Sequence, residues 1–74
     1  MTRMRRTNAD AVERILRKYG FVLVSQKGNH RKWRSSDGDL QVIVPYHQGR
    51  DLPIGTLRNI VVTAMIPEEE WKSP

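Results

Sequence analysis

Two histidines, His30 and His47, are the residues in this chain best suited to move protons near neutral pH. His30 follows Gly28 and Asn29 and opens the basic run Arg31-Lys32-Trp33-Arg34, with Lys27 just before the glycine. If this run is a strand, residues two apart share a face, so Lys32 and Arg34 stand on the side of His30 and Trp33 on the other. An imidazole beside two cations suits RNA cleavage. RNA carries its own nucleophile, the 2′-hydroxyl; a base with a value near neutrality removes its proton, and cations stabilise the charge that builds on the phosphoryl oxygens. Neighbouring cations also disfavour the imidazolium form. No metal is required, and no dense cluster of carboxylates is available to hold one. Asp37 and Asp39 flank Gly38 and read as turn residues. A surface histidine among Lys and Arg is more often part of an ordinary solvated face, so the grouping alone does not establish catalysis. His47, in the Pro/Gly-rich stretch PYHQG, carries a weaker signal of the same kind. Trp33 reads as core and Tyr46 as a cover for its loop.

With 74 residues the chain is expected to form one domain. A domain of this size buries about 60% of the surface its unfolded chain exposes. One thin core between two layers is then feasible and an enclosed substrate cavity is not; a shallow, open site suits a polymer. The absence of cysteine excludes a disulfide framework and zinc–thiolate sites and is consistent with a reducing cytoplasm. No apolar run is long enough to span a membrane, and the charged N-terminus does not read as a signal peptide. Lys and Arg number 13 against 8 Asp and Glu, a net charge of +5. Lys27, Arg31, Lys32 and Arg34 stand together with no acid among them, whereas Glu68, Glu69 and Glu70 cluster near the end. A local basic patch with a pI near 10.3 is the footprint of a polyanion partner, although a solubility charge has the same appearance.

The elements that would position these residues follow from periodicity. Residues 1–6 read as a basic, frayed tail. Thr7 and Asp10 have capping-box spacing, with Asn8 as the alternative N-cap. Val12, Ile15, Leu16 and Tyr19 form one apolar helical face, and Gly20 stops the helix, giving a span of about 9–19. Strands are expected over 21–27, 31–35 and 40–44, joined by turns at Lys27-Gly28-Asn29 and Ser36-Asp37-Gly38-Asp39. A loop over 45–55 precedes a second helix whose apolar face is Leu57, Ile60, Val61 and Ala64, capped by Thr56 or an earlier residue, with Pro53 at its first position. Ile66-Pro67 ends that helix, and Pro67 to Trp71 reads as one further turn that packs Trp71 on the domain. The order α-β-β-β-α implies an α+β two-layer sandwich: a three-stranded antiparallel sheet with both helices on one face, the layout of the double-stranded-RNA-binding-domain fold.

Several of these segments, taken together, resemble one family. Tyr19-Gly20-Phe21 with Gln26-Lys27-Gly28-Asn29-His30, the Asp37-Gly38 turn, Val44-Pro45-Tyr46-His47-Gln48-Gly49, and Leu52 with Gly55-Thr56-Leu57-Arg58 and Ile60 are similar in order and spacing to the HicA (YcfA-like) toxins. The likeness covers about residues 9–66. It implies a double-stranded-RNA-binding-like fold and a metal-independent endoribonuclease that needs no cofactor. It further implies messenger RNA as substrate, growth arrest as outcome and a HicB-type antitoxin protein as partner. By the resemblance the catalytic histidine falls on His30, and Gly28 is the turn that presents it. The second histidine falls on His47, with phosphate contact, loop support and proton transfer all open. Lys27, Asn29, Arg31, Lys32, Arg34, His47 and Arg58 make up the expected RNA-contacting set. Asn29 departs from the usual small residue, and Arg31-Lys32 replaces a frequent His-aliphatic pair.

A non-catalytic RNA-binding module, or a docking module of the same fold, is the competing expectation. Duplex-binding domains generally carry lysines at the start of the last helix, and residues 53–59 offer only Arg58.

Overall fold

The computed structural model describes residues 7–72; the basic segment 1–6, expected as a frayed tail, lies outside the described residues. The elements are α1 (Ala9–Lys18), β1 (Val22–Lys27), β2 (His30–Arg34), β3 (Gln41–Pro45), α2 (Ile54–Ala64) and α3 (Glu69–Lys72). The strands form an antiparallel meander in the order β1-β2-β3, and both long helices contribute to one core on one face of the sheet. This is the expected α+β sandwich of double-stranded-RNA-binding-domain type.

α1 begins where Asn8 takes an extended backbone and its Oδ1 accepts from the Ala11 N–H at 2.9 Å. Asn8, the alternative of the two expected caps, therefore does the capping. Thr7 serves instead through its carbonyl, which accepts from the Leu52 N–H at 2.8 Å and ties the chain before α1 to the loop after β3. The helix ends in a Schellman motif. The Phe21 N–H reaches the Leu16 carbonyl and the Gly20 N–H the Arg17 carbonyl, with Gly20 at φ +86°. Phe21 and Leu16 are both buried, which supplies the apolar contact that accompanies this motif.

The buried apolar positions of β2 and β3 are Trp33, Val42 and Val44, packed against Val12 and Leu16 of α1 and Leu57, Ile60, Val61 and Ala64 of α2. The buried stripe of α1 departs from expectation. It runs Ala9, Val12, Glu13, Leu16, while Ile15 is half-buried and Tyr19 is exposed. The helix is rotated toward Glu13 because that carboxylate has partners beneath it, described below.

α2 also starts differently. Pro53 holds the N-cap position with no side-chain cap, Thr56 lies inside the first turn, and the first helical bond runs from the Leu57 N–H to the Pro53 carbonyl. Its other end is strained: Met65 adopts φ 56°, ψ 33°, the left-handed region, which costs a residue with a Cβ about 1–2 kcal/mol. The Met65 side chain is exposed, so it gives little back. Met65→Gly is expected to stabilise the domain by about 1 kcal/mol, a Tm rise of about 4–8 °C for a chain of this size. An unchanged or lowered Tm would show that the strain is relieved elsewhere.

The short α3 packs Trp71 into the core. It is held to the end of α1 by Glu70, which accepts from the Tyr19 hydroxyl at 2.6 Å and from Lys18 Nζ at 3.2 Å. The Tyr19 hydroxyl first, and Lys18 second, hold the Glu70 carboxyl below its ordinary value of 4.5. A lowered carboxylate value stabilises the fold above the ordinary value, and that contribution disappears as pH falls through the folded one. Acidification below about 4.5 is therefore expected to loosen α3 first. The Trp71 indole N–H resonance should shift in this range in the wild type and stay flat in Glu70→Gln; the same titration in both would remove Glu70 as the cause.

Candidate active site on the open face of the sheet

The site is set by the register of β2. Its partners across the sheet are Lys27 and Pro45 for His30, Ser25 and Ile43 for Lys32, and Val22 and Gln41 for Arg34. Directly paired residues share a face. His30, Lys32, Arg34 and Lys27 therefore lie together on the face turned away from the helices, as expected. All the partners just named are neutral or basic, so no acid stands in these rows. His30 is exposed at the end of β2, where the two-residue turn delivers it. Gly28 takes φ +57° there. The space around Gly28 is open, so its backbone conformation, not crowding, calls for glycine.

The segment carrying His47 is drawn to the same end of the sheet. Pro45 pairs with His30, and the Tyr46 N–H donates to the Asn29 carbonyl at 2.6 Å. His47 follows directly and is exposed, and its carbonyl accepts from the Arg50 N–H in the turn beyond. Both histidines thus occur at one end of one sheet. Asn29 contributes its backbone to this arrangement.

Arg31 is placed otherwise than the sequence suggested. It faces the helices, where Nη1 donates to Glu13 Oε1 at 2.7 Å and the guanidinium lies over the Tyr46 ring, 4.0 Å from its centre. Its alternation phase, opposite to that of Lys32, is the reason. Arg58 is on the exposed side of α2, in the layer covering the other face of the sheet, and is not brought together with His30. The RNA-contacting set expected from the sequence therefore divides: Lys27, Lys32 and Arg34 share the face of His30, Asn29 and His47 lie at its end of the sheet, and Arg31 and Arg58 are directed elsewhere.

Glu13 was not singled out from the sequence. It is 2% exposed, and besides Arg31 it accepts from the Trp33 indole N–H at 3.0 Å. Arg17 lies over the other part of this assembly, 5.0 Å from the Trp33 ring centre. The Tyr46 hydroxyl donates to Asp10 at 2.8 Å, and this bond, above all, raises the tyrosine's value above 10.0. α1 is thus fastened through Glu13 and Asp10 to β2 and to the segment that carries His47. A signal was legible: Glu13 fills the i+4 slot between Ala9 and Leu16 on the inner stripe, opposite a strand that offers an arginine and an indole.

Residues 9–66 match the sequence pattern of the family described as HicA toxin of bacterial toxin-antitoxin. The chain belongs to the HicA toxin family. Among curated proteins, none matches the chain. The match covers every element that builds the site, from α1 through α2. As a HicA toxin, the protein is the toxin component of a toxin–antitoxin system and has an antitoxin as partner. Among the described residues of this HicA toxin, no three His, Asp or Glu side chains stand together as metal ligands would, and no helix is long and apolar enough to cross a membrane.

Proposed function

We propose that this HicA toxin is an endoribonuclease acting on messenger RNA in the cytoplasm, with His30 as its catalytic residue and a HicB-type protein as the antitoxin. The observation that carries this reading is the exposed His30 on an acid-free sheet face shared with Lys27, Lys32 and Arg34. The imidazole takes the proton of the 2′-hydroxyl. The 2′-oxygen then bonds to phosphorus, and the bond from phosphorus to the 5′-oxygen breaks. Lys27, paired with His30 across the sheet, stabilises the added negative charge on the phosphoryl oxygens as it develops. The leaving 5′-oxygen needs a proton, and His47 is the candidate donor at this end of the sheet. This route uses the nucleophile that RNA supplies and calls for neither metal nor organic cofactor. It leaves a 2′,3′-cyclic phosphate on one fragment and a 5′-hydroxyl on the other.

The end groups test the mechanism. Purified protein incubated with messenger RNA is expected to produce cyclic-phosphate and 5′-hydroxyl termini, and 2′-O-methylation at the cut position should abolish cleavage there. Fragments ending in a free 3′-hydroxyl and a 5′-phosphate would exclude a 2′-hydroxyl nucleophile. Intact RNA with folded protein, in the test tube and on expression in bacteria, would favour the non-catalytic module.

A further inference from the structure

Along β2 the catalytic imidazole and two cations form a ladder. His30, Lys32 and Arg34 succeed one another at two-residue steps on one face, each about 6.8 Å from the next. That step is comparable to one nucleotide repeat of an extended single strand. A duplex winds its phosphates around a cylinder, so a flat face meets few of them in succession. Each of the two cationic rungs has an apolar neighbour on one side: Val22 beside Arg34 and Ile43 beside Lys32 are 55% and 43% exposed. They offer ribose and base faces a surface that a duplex, with its bases stacked inside, could not use. Arg34 is held over its row by Gln41, whose Oε1 accepts from Nη2 at 3.3 Å.

The ladder has a definite end. Beyond Arg34 the β2–β3 turn carries Asp37 and Asp39. The Ser35 hydroxyl, donating at 2.6 Å, and the Asp39 N–H hold Asp37 below the ordinary carboxylate range, so it is anionic and repels a further phosphate. At the other end the chain turns back at Gly28.

We propose that the open face of β2 is a track for one extended, single-stranded RNA chain, with the scissile phosphodiester at His30 and the next two phosphates on one side at Lys32 and Arg34. The identity of the cut phosphate rests on the ribonuclease reading above; the track itself does not. The test is binding of the full chain to a short, fully 2′-O-methylated oligoribonucleotide, which cannot be cut, as a single strand and as a duplex with its complement. The single strand is expected to bind at least about tenfold tighter, and its log K against log salt slope to flatten by about 0.7 in either Lys32→Gln or Arg34→Gln and by about 1.4 in the double variant. Both side chains lie on the solvent face, and a circular dichroism spectrum confirms the fold of each variant. Equal or tighter binding of the duplex, or slopes unchanged by the substitutions, overturns the track and leaves this face to a protein partner. Cleavage of the unmodified strand is scored in parallel. Binding as expected without cleavage upholds the track and removes the ribonuclease; cleavage with unchanged slopes does the reverse.

Discussion

His30→Ala is expected to lower the rate of RNA cleavage by about 10²–10⁴-fold, the range that a positioned acid–base group contributes, and to relieve growth arrest on expression in bacteria. The fold should survive. His30 is exposed at the end of β2, its backbone pairs with Lys27 and Pro45 whatever the side chain, and its neighbours on that face do not pack into the core. Binding to an uncleavable RNA should change little, because Lys27, Lys32 and Arg34 remain in place. A lost rate with retained affinity is the signature of a group that acts on the reacting atoms. His47→Ala separates the two imidazoles. If His47 supplies the proton to the leaving oxygen, its loss also costs rate more than affinity. If it only contacts phosphate, affinity falls and the rate at saturating RNA holds. Cleavage by His30→Ala at the wild-type rate would end the catalytic assignment, and the family relationship alone would then say nothing about which residue works.

Much of this site could be read in the chain because alternation in a strand is strict. Once His30 to Arg34 is a strand, the phase that buries Trp33 must put His30, Lys32 and Arg34 on the opposite face, where His30 and Arg34 are exposed and Lys32 is half-buried. The same phase should have removed Arg31 from the RNA-contacting residues, since it lies two positions from Trp33. Its charge argued for the surface, and only the buried carboxylate of Glu13 makes an inward arginine tolerable. That partner is 18 residues away in sequence, on another element, so the alternation of β2 does not reveal it; only the i+4 spacing within α1 hints at it. For the same reason the stripe of α1 was displaced: Val12, Ile15, Leu16 and Tyr19 are the more apolar face, but the ion pair and the Trp33 indole turn Glu13 inward. Gly20 and Asn8 were legible because capping is local chemistry. The start of α2 was not, because Pro53 begins that helix without a side-chain cap and Thr56 only resembles one.

Glu13→Ala is expected to destabilise the fold strongly. The carboxylate is 2% exposed and accepts from both Arg31 and Trp33. Deleting it leaves an arginine side chain, 23% exposed, without its counter-charge and an indole N–H without its acceptor, beside an Arg31 Nε that already has no partner among the described residues. Removing one member of a buried pair costs about 3–5 kcal/mol. A domain of this length has about 4–11 kcal/mol in all, so the variant should be partly or wholly unfolded near 37 °C in thermal denaturation. Glu13→Gln keeps the shape and one carbonyl acceptor but loses the charge, and should fall between the wild type and Glu13→Ala. The pair Glu13→Leu with Arg31→Met distinguishes charge pairing from packing. If the cost comes from an orphaned charge, the double variant is markedly more stable than the sum of its single variants predicts, short only by the unpaired Trp33 indole. Simple additivity would mean that Glu13 and Arg31 are not coupled. The consequence for function is testable in the same proteins. Arg31 also lies against Tyr46, whose N–H holds the Asn29 carbonyl beside His30. Folded Glu13→Gln, assayed well below its Tm, should therefore cleave more slowly than the wild type although no atom of Glu13 stands on the catalytic face. An unchanged rate would show that the clamp supports the fold and nothing more.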